Sequence, residues 1–242
     1  MSAVKFSIVM PAYNEEKNIL EAIRRVEAFM KLKEWDWELL ISSDGSKDDT
    51  DRLIRDALKI RTDNRIKLLT ADANKGKGAS VRRGVLASTG QMILVTDVDL
   101  SSPIKEVDRL MAALDAGFDI AIGSRSLRSQ DCDVQQSFRR WFAGRIFNFF
   151  VKCLVLRDFQ DTQCGFKLFK RETAKDLFQN QKLDGFAFDV EVLCLALKKG
   201  YQVKEVPVMW RQAATSRVNL VKDSLSMLGE LFTLRRIMNC EP

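Results

Sequence analysis

Short apolar runs alternate with helical patterns through the first half of the chain, and this alternation limits the folds open to its 242 residues. Strand-like runs cover residues 6–10, 37–41, 66–69, 92–96 and 118–122. Between them, apolar residues recur at helical spacing in residues 18–32, from 47 onward, 78–88 and 103–114. Strands separated by helices of about ten residues form a mostly parallel sheet with helices on both faces. The sequence therefore predicts an α/β fold.

The second half of the chain is less regular. It predicts an apolar stretch with interspersed Arg and Lys at 139–156, strands at 166–169 and 203–206, and helices at 188–198 and 218–238. The sequence contains no internal repeat and no linker rich in Pro, Gly or Ser. We therefore expect a single domain over residues 1–242.

The composition excludes several kinds of chemistry. The chain contains no histidine, which excludes catalytic triads with a histidine base and makes a zinc site improbable. Its five cysteines lack CxxC spacing, which favours reduced, packing cysteines in a cytosolic protein. The first apolar run is too short for a signal peptide, and no run is long enough to span a membrane. The net charge of +6 favours an acidic partner: nucleic acid, anionic lipid or a phosphorylated substrate.

Polar clusters follow four of the predicted strands. They cover residues 11–15, 43–46, 74–78 and 97–99. Because ligands of parallel α/β sheets bind at the carboxyl ends of the strands, we expect the four clusters to form a single site.

Asp97 and Asp99 are the candidate metal ligands. Two carboxylates one residue apart at a strand end can bracket Mg²⁺ or Mn²⁺, which take hard oxygen ligands and keep substrate phosphates and water in their shell. The alternative is that this acidic pair only caps the following helix.

The other clusters favour a nucleoside diphosphate. Two glycines and two lysines at 74–78 suit a diphosphate at a helix start, although the same segment could be a basic turn that caps the helix. Asp44 and Glu15 are candidates for hydrogen bonds to a base and a ribose. The alternative for Asp44 is an Asx-turn before Gly45.

At these clusters the first half resembles inverting nucleotide-sugar glycosyltransferases of the GT-A fold. The matching segments, in the same order and spacing, are PAYNEEKNI, SDGSKDDT, NKGKGASVRRG and DVDLSSP. The second half resembles the dolichyl-phosphate β-glucosyltransferases and, less closely, the dolichol-phosphate mannose synthases in IAIGSRS, DTQCGFKLFKRE, GFAFDVEVL and EVPVMW. The resemblance covers roughly residues 5–236. It implies a nucleotide-sugar-binding half at 1–124 and an acceptor-side half at 125–242.

The resemblance also implies roles for individual residues. The nucleoside would be held by Pro11, Ala12, Tyr13, Glu15 and Asp44. Lys77 would lie near the diphosphate, Val98 would belong to the nucleotide-sugar site, and Asp97 and Asp99 would hold the metal, which would be Mg²⁺ or Mn²⁺. The anionic phosphates would face Arg125, Arg139 or Arg140, and Arg217. Asp161 and Glu191 would line the sugar and acceptor pocket, so that the catalytic set is Asp99, Arg125, Asp161 and Glu191.

Three positions depart from the family pattern. Ser43 stands where the family often has a first Asp before Asp44, so one carboxylate is missing. Ser101 stands where the mannose synthases tend to have a Gln that reaches the metal, which weakens the mannose interpretation. Residues 215–217 are Thr-Ser-Arg in place of the usual Gly-Ser-Lys turn. Arg217 would therefore contact a phosphate with a planar guanidinium and not with the compact ammonium of a lysine.

Two amphipathic segments predict contact with a membrane. In 138–156 a polar stripe runs through Arg140, Gly144, Asn148 and Lys152 beside several aromatic residues. In 218–238 one face carries Val221, Leu225, Leu228 and Phe232 and another Lys222, Ser226, Glu230 and Thr233. Basic amphipathic helices with Trp and Phe can lie in a lipid interface, but core packing or, for the last helix, a dimer interface gives the same pattern.

The sequence thus predicts an enzyme that transfers a sugar, with glucose from UDP-glucose favoured, to a polyprenyl or dolichyl phosphate. We expect this enzyme at the cytosolic face of a membrane, held there by peripheral contact. A homodimer or a complex with a membrane-anchored subunit is its expected assembly. GDP-mannose and UDP-N-acetylglucosamine remain alternative donors, and undecaprenyl phosphate and soluble saccharides alternative acceptors. A non-catalytic nucleotide-sugar-binding subunit is disfavoured because Asp44, Lys77, Asp97 and Asp99 are all present. No nucleic-acid partner is expected, because the basic residues form no continuous stripe.

Overall fold

The computed structural model of the protein describes residues 6–127, 129, 132–135, 151, 156, 158–211 and 220–238. Its strands are β1 Phe6–Ala12, β2 Trp37–Ser43, β3 Ile66–Thr70, β4 Met92–Thr96, β5 Ile120–Ser124, β6 Val134–Gln135, β7 Phe166–Lys170, β8 Val203–Pro207 and β9 Trp210–Arg211. Its helices are α1 Ile19–Met30, α2 Thr50–Lys59, α3 Lys77–Ala87, α4 Val107–Asp115, α5 Arg171–Asn180, α6 Phe188–Lys198 and α7 Leu220–Met238, and a short 3₁₀ turn covers Ile104–Glu106.

Seven of the described strands form one sheet in the order β3-β2-β1-β4-β7-β5-β8. All neighbours run parallel except β7, which is antiparallel to both β4 and β5. Strand β7 belongs to the second half of the chain and separates two strands of the first half. The small strands β6 and β9 pair separately.

Helices cover both faces of this sheet, because alternate side chains of each buried strand point to opposite sides. On one face Val9, Leu40, Ile93 and Phe169 pack with residues of α3, α5 and α6. On the other face a second buried cluster joins the strands to α1 and α4. The predicted mostly parallel α/β sheet with two helical layers is therefore confirmed.

The antiparallel direction of β7 brings the second half to the site. Thr96 at the end of β4 pairs with Phe166 at the start of β7. Residues 161–165 therefore lie at the same sheet edge as the polar clusters that follow β1 to β4. The carboxyl ends of β5 and β8 reach this edge too, since both strands run with β4.

The helix α7 differs from its predicted face assignment. Its described buried side chains are Met227, Leu231 and Leu234, so Phe232 is not on the packed face and is 59% exposed. Glu230, predicted on the polar face, accepts a hydrogen bond from the backbone N–H of Ala187 at 2.9 Å. Of the predicted helix at 138–156, only Val151 and Leu156 are described, and both are buried. No helix in the described ranges is both long and apolar enough to cross a membrane.

A buried carboxylate fastens the first strands to one another. Glu38 of β2 is 4% exposed and accepts hydrogen bonds from the Ser7 hydroxyl at 2.6 Å, the Thr89 backbone N–H at 2.6 Å and the Lys67 ammonium at 2.9 Å. Burial alone would raise the pKa of Glu38, but hydrogen bonds from Ser7, Thr89 and Lys67 outweigh it and lower the pKa to about 2.

We predict that Glu38→Gln destabilises the protein by about 2 kcal/mol at pH 7. Because the folded-state pKa of Glu38 is depressed, its contribution is present above the unfolded pKa and is lost as pH falls toward the folded value. The difference in unfolding free energy between wild type and variant should therefore shrink between about pH 5 and pH 3. Urea denaturation at several pH values measures it.

Glu21→Gln is the matched control. Glu21 also has a pKa lowered to about 2, by hydrogen bonds from Arg24 and Arg25, but its partners are exposed on α1. Exposed pairs contribute little to stability, so this variant should unfold as the wild type does. Equal losses in the two variants would show that the buried network around Glu38 is not what stabilises these strands.

Candidate active site

An ion pair joins two of the predicted site residues at the carboxyl edge of the sheet. The ammonium of Lys77, at the start of α3, lies 2.6 Å from Asp97 Oδ1 after β4. Asp99, two residues further, accepts a hydrogen bond from the Ser101 backbone N–H at 2.9 Å. The sharp turn between them uses Leu100 at φ +45°, a left-handed conformation that non-glycine residues seldom adopt. The sequence clusters at 74–78 and 97–99 therefore meet, as predicted.

The pKa values at this edge reflect its crowded charges. Burial alone would lower the pKa of Lys77, but the charges of Asp97 and Asp189 outweigh it and raise the pKa. Burial, followed by the negative charge of Asp97, raises the pKa of Asp99. A second cation near Asp97 and Asp99 would relieve this repulsion between the carboxylates.

Glycine at position 165 makes room for Asp97. A Cβ on Gly165 would lie 2.0 Å from Asp97 Oδ2, well inside van der Waals contact. Gly165 immediately precedes β7, so the second half of the chain forms the wall against which the Asp97 carboxylate packs. The segment DTQCGFK is part of the family resemblance, but its glycine had no predicted role.

The carboxylates of Asp97 and Asp99 suit a divalent cation only as a partial ligand set. Within the described residues, no group of three or more His, Cys, Asp or Glu side chains could hold a metal ion by itself. Mg²⁺ and Mn²⁺ commonly take one or two carboxylates and complete their shell with water and substrate phosphates. The donor set therefore matches a cation that binds together with a phosphorylated ligand.

A cavity of about 460 Å³ lies at the ends of β1 to β3 and is lined by Tyr13, Gly45, Ser46, Lys47, Asp51, Ala71, Asp72, Ala73 and Asn74. Tyr13 is 37% exposed, so its ring offers a surface on which a flat base can stack. Gly45 has φ +69°, and a Cβ there would lie 2.7 Å from the backbone of Ala73. The loops after β2 and β3 are therefore in close contact at the cavity.

Asp44, directly before Gly45, is buried but only half satisfied. Its Oδ2 accepts hydrogen bonds from the backbone N–H groups of Lys75 at 3.1 Å and Gly76 at 2.7 Å. Its Oδ1 is buried without a hydrogen-bond partner among the described atoms. A buried acceptor without a donor is unfavourable by about 1–3 kcal/mol, so Asp44 Oδ1 is suited to receive an N–H or O–H from a ligand.

The remaining predicted nucleoside contacts are less exposed. Pro11, Ala12 and Val98 are buried, and their side chains pack within the protein. Ala12 accepts a hydrogen bond from the Asp44 backbone N–H at 2.8 Å, which fixes Asp44 beside β1. The backbone N–H of Glu15 donates to the Thr50 hydroxyl, and the Glu15 carboxylate accepts from Asn18.

The glycines at 74–78 have a different role from the predicted one. A Cβ on Gly76 would lie 2.3 Å from the Asp184 carbonyl oxygen, and one on Gly78 would lie 2.5 Å from that of Leu183. The N–H groups of Gly78 and Ala79 donate to the carbonyls of Gly185 and Asp184, each at 3.2 Å. These glycines let the second half approach the start of α3, and the Gly78 and Ala79 N–H groups that a phosphate would use already have partners. The glycines thus serve the packing of the two halves, and the predicted binding of a diphosphate by this segment stays a prediction that rests on the lysine side chains.

Arg125, which follows β5 and has a side chain 26% exposed, forms an ion pair with the buried Asp161, which precedes β7. Asp161 accepts from Arg125 Nε at 2.7 Å, from its Nη2 at 2.8 Å and from its backbone N–H at 2.9 Å. Burial opposes both charges, but their attraction outweighs it, so the pKa of Arg125 is raised and that of Asp161 lowered. The ring of Trp210 lies 5.6 Å from the guanidinium carbon. Asp161 thus holds and orients Arg125.

Glu191, the fourth predicted catalytic residue, is 2% exposed. It lies in the first turn of α6 and accepts hydrogen bonds from the backbone N–H groups of Lys182 and Leu183, both at 2.8 Å. This arrangement fixes the segment that packs on Gly76 and Gly78. Arg139, Arg140 and Arg217 lie outside the described residues.

A further ion pair, between Lys167 and Asp189, is buried at this edge and was not predicted from the sequence. Lys167 of β7 is 3% exposed, and its ammonium lies 2.6 Å from both Asp189 Oδ1 and the Cys164 carbonyl oxygen. Asp189 is also one of the charges that raise the pKa of Lys77. The sequence does contain a signal for this pair, because Lys167 stands between phenylalanine and leucine inside a predicted strand. A charged side chain at such a position is rarely buried unless an opposite charge pairs with it.

Comparison of the sequence with known proteins agrees with the motifs. The sequence profile of one family, "Glycosyl transferase family 2", matches residues 7–178. A dolichyl-phosphate beta-glucosyltransferase from Dictyostelium discoideum is 34% identical over 96% of this chain and 74% of that protein. The protein of the same name from Saccharomyces cerevisiae is 32% identical over 95% of this chain and 73% of that protein. The family resemblance seen in the motifs is confirmed.

Solved structures with low sequence identity share the fold. Glucosyl-3-phosphoglycerate synthase from Mycobacterium tuberculosis, crystallised with UDP, superposes with a TM-score of 0.69 at 18% identity, over 99% of this chain and 82% of that one. Mannosyl-3-phosphoglycerate synthase from Rubrobacter xylanophilus gives a TM-score of 0.69 at 17% identity, over 98% and 74%. At such identities the likeness concerns the fold, and it confirms the predicted GT-A architecture.

We predict that Gly165→Ala breaks the ion pair between Lys77 and Asp97, because the new methyl group would occupy the position of Asp97 Oδ2. The affinity for Mn²⁺ with a nucleoside diphosphate, measured by electron paramagnetic resonance, should fall about tenfold or more. Gly229→Ala on α7, where a Cβ meets nothing within 4 Å, is the control and should bind as the wild type does. Unchanged binding in Gly165→Ala, with a folded circular dichroism spectrum, would exclude Asp97 as a ligand.

Proposed function

This chain belongs to glycosyl transferase family 2, in the group of the dolichyl-phosphate β-glucosyltransferases, and from that premise we propose that it transfers glucose from UDP-glucose to dolichyl or a related polyprenyl phosphate, with inversion. It is a nucleotide-sugar-dependent glycosyltransferase. One observation carries the residue-level proposal: Lys77, Asp97 and Asp99 meet at the sheet edge that also holds Asp44, whose Oδ1 has no hydrogen-bond partner among the described atoms.

The cavity lined by Tyr13 and by Gly45, the residue after Asp44, supports a uridine donor. Uracil carries one imide N–H, which can donate to the buried Asp44 Oδ1 while the ring stacks on Tyr13. Guanine also carries N–H groups that can donate to a carboxylate, and the choice of UDP over GDP follows the family membership. The glucose assignment rests on the names of the relatives from Dictyostelium discoideum and Saccharomyces cerevisiae.

Asp97 and Asp99 would hold Mg²⁺ or Mn²⁺ together with the donor diphosphate. A glucosyl-3-phosphoglycerate synthase of the same fold was crystallised with Mn²⁺ and UDP. A bound divalent cation supplies Lewis acidity that stabilises the negative charge of the departing nucleoside diphosphate. The Lys77 ammonium, held beside Asp97, adds a positive charge at the same place.

The acceptor in this proposal needs no general base. A phosphate monoester is already ionised at neutral pH, so one of its oxygens can attack the anomeric carbon directly and invert it. A chain without histidine suits this chemistry. Arg125, oriented by Asp161, would face the anionic phosphates of the substrates with the guanidinium N–H groups that this carboxylate does not use.

We further propose that the outer side of α7 contacts the membrane. Phe232 is 59% and Ile237 45% exposed, and Arg235 and Arg236 lie exposed beside them. Exposed apolar side chains next to arginines suit an interface with anionic lipid headgroups. This contact would be peripheral and reversible.

The proposal predicts that labelled UDP-glucose, but not GDP-mannose or UDP-N-acetylglucosamine, yields a glucosylated lipid with polyprenyl phosphate in detergent and Mg²⁺. Asp99→Ala should lower turnover by about 100-fold or more, as loss of a transition-state contact does. Asp44→Asn keeps the shape of the side chain but replaces the carboxylate acceptor with a neutral amide. The KM for UDP-glucose should therefore rise by about tenfold.

Asp115→Ala, an exposed acidic residue at the end of α4, is the control and should retain wild-type rates. Label in the lipid from GDP-mannose alone would overturn the donor assignment. Transfer to free saccharides without any labelled lipid would overturn the acceptor assignment.

A further inference from the structure

A second cavity, of about 500 Å³, opens beside Asp99 and shares no lining residue with the cavity near Asp44. It is formed by three parts of the chain: the outer side of α1, the segment from Asp99 to the 3₁₀ turn, and β9. A backbone hydrogen bond of 2.8 Å from Arg211 to the Ser101 carbonyl joins the last two parts. We refer to this cavity as the Asp99 groove.

The rim of the Asp99 groove is basic. Arg24 and Arg25 on α1, Lys105 and Arg211 all line it, against the single carboxylate of Asp99. Arg24 and Arg25 share the carboxylate of Glu21. Lys105 and Arg211 are exposed, and their charges face solvent at the rim. This excess of positive charge suits a ligand with a phosphate group.

The floor of the Asp99 groove is apolar. Leu100 and Ile104 are buried beneath it, and Ala28 and Pro103 contribute aliphatic surface. Ser101 also lines the groove. Its buried hydroxyl makes no hydrogen bond of normal length and angle, although it lies close enough to Asp99 to oppose the rise in the pKa of that carboxyl. A buried hydroxyl donates readily to an anionic oxygen.

A basic rim, a buried hydroxyl and an aliphatic floor together match a molecule with a phosphate at one end and a hydrocarbon chain at the other. The nucleoside diphosphate does not match as well, because its polar base would lie against the aliphatic side chains of the floor. The volume lies in the range of small-ligand sites. The groove also ends at Asp99, where the donor diphosphate would be held.

We propose that the Asp99 groove binds the polyprenyl phosphate acceptor, with the phosphate between Ser101, Lys105 and Arg211 and the first isoprene units on Leu100 and Ile104. This inference rests on the proposed function and adds to it where the lipid substrate lies. An oxygen of the phosphate held in the groove is the attacking atom: it forms the new bond to the anomeric carbon while the bond from that carbon to the nucleoside diphosphate breaks and the nucleoside diphosphate leaves.

The test compares the wild type with the double variant Lys105→Glu/Arg211→Glu. We expect KM for a short, water-soluble isoprenyl phosphate to rise about tenfold or more, while KM for UDP-glucose stays within about twofold. Lys31→Glu/Lys59→Glu makes the same charge change at exposed positions outside the groove and should leave both KM values unchanged. A milder variant, Ser101→Ala, should raise the acceptor KM alone and guards against misfolding of the double variant.

Equilibrium binding to wild-type protein separates the ligand sources. The short isoprenyl phosphate should bind more tightly than inorganic phosphate or the corresponding isoprenyl alcohol, since only it uses both the rim and the floor. Equal binding of inorganic phosphate would overturn the proposal in favour of a simple anion site. Loss of binding to phosphatidylserine vesicles in the double variant, with an unchanged acceptor KM, would overturn it in favour of a membrane contact.

The wild-type assay keeps the two proposals distinct. If wild-type protein glucosylates the isoprenyl phosphate but both groove variants retain the wild-type acceptor KM, the groove proposal fails and the proposed function stands. If wild-type protein glucosylates no isoprenyl phosphate at all, the proposed function itself fails.

Discussion

Charge compensation at the carboxyl edge of the sheet is the constraint on which the rest of the structure depends. Three carboxylates, Asp97, Asp99 and Asp189, are held near two ammonium groups, Lys77 and Lys167. These five groups carry one net negative charge at a partly buried position, where an uncompensated charge destabilises the protein. The edge is therefore arranged for a ligand that brings positive charge with it, and a divalent cation on a diphosphate does so.

The two halves of the chain share this edge at the level of the backbone. Gly165 packs on Asp97, and the start of α3 donates hydrogen bonds to residues 184 and 185. Gly185 in turn accommodates the Glu230 carboxylate of α7, from which a Cβ would be separated by only 1.9 Å. The glycines beside Lys77 therefore pack against residues from the distant part of the sequence. Because these contacts are direct, a movement of α7 would displace residues 184 and 185 and with them the start of α3.

The sequence was a good guide where local patterns determine structure. Strand β4 and helix α6 begin and end at the predicted residues, and the clusters of β1 to β4 converge because parallel strands share an edge. Helix α5 was missed, since its polar first turn follows β7 without a break. The antiparallel pairing of β7 and the contacts of Gly76 and Gly78 were missed too, because both depend on segments about 70–110 residues away, which no local periodicity encodes.

The position of β7 between β4 and β5 also has a consequence for synthesis of the chain. A ribosome that has released only the first 124 residues has exported β4 and β5, but the strand that separates them does not yet exist. Until residues 166–170 emerge, β4 presents an unpaired edge of apolar residues, the kind of surface that recruits other chains. Sheet closure must therefore wait for a distant segment, which slows folding and prolongs the exposure of this apolar edge during synthesis.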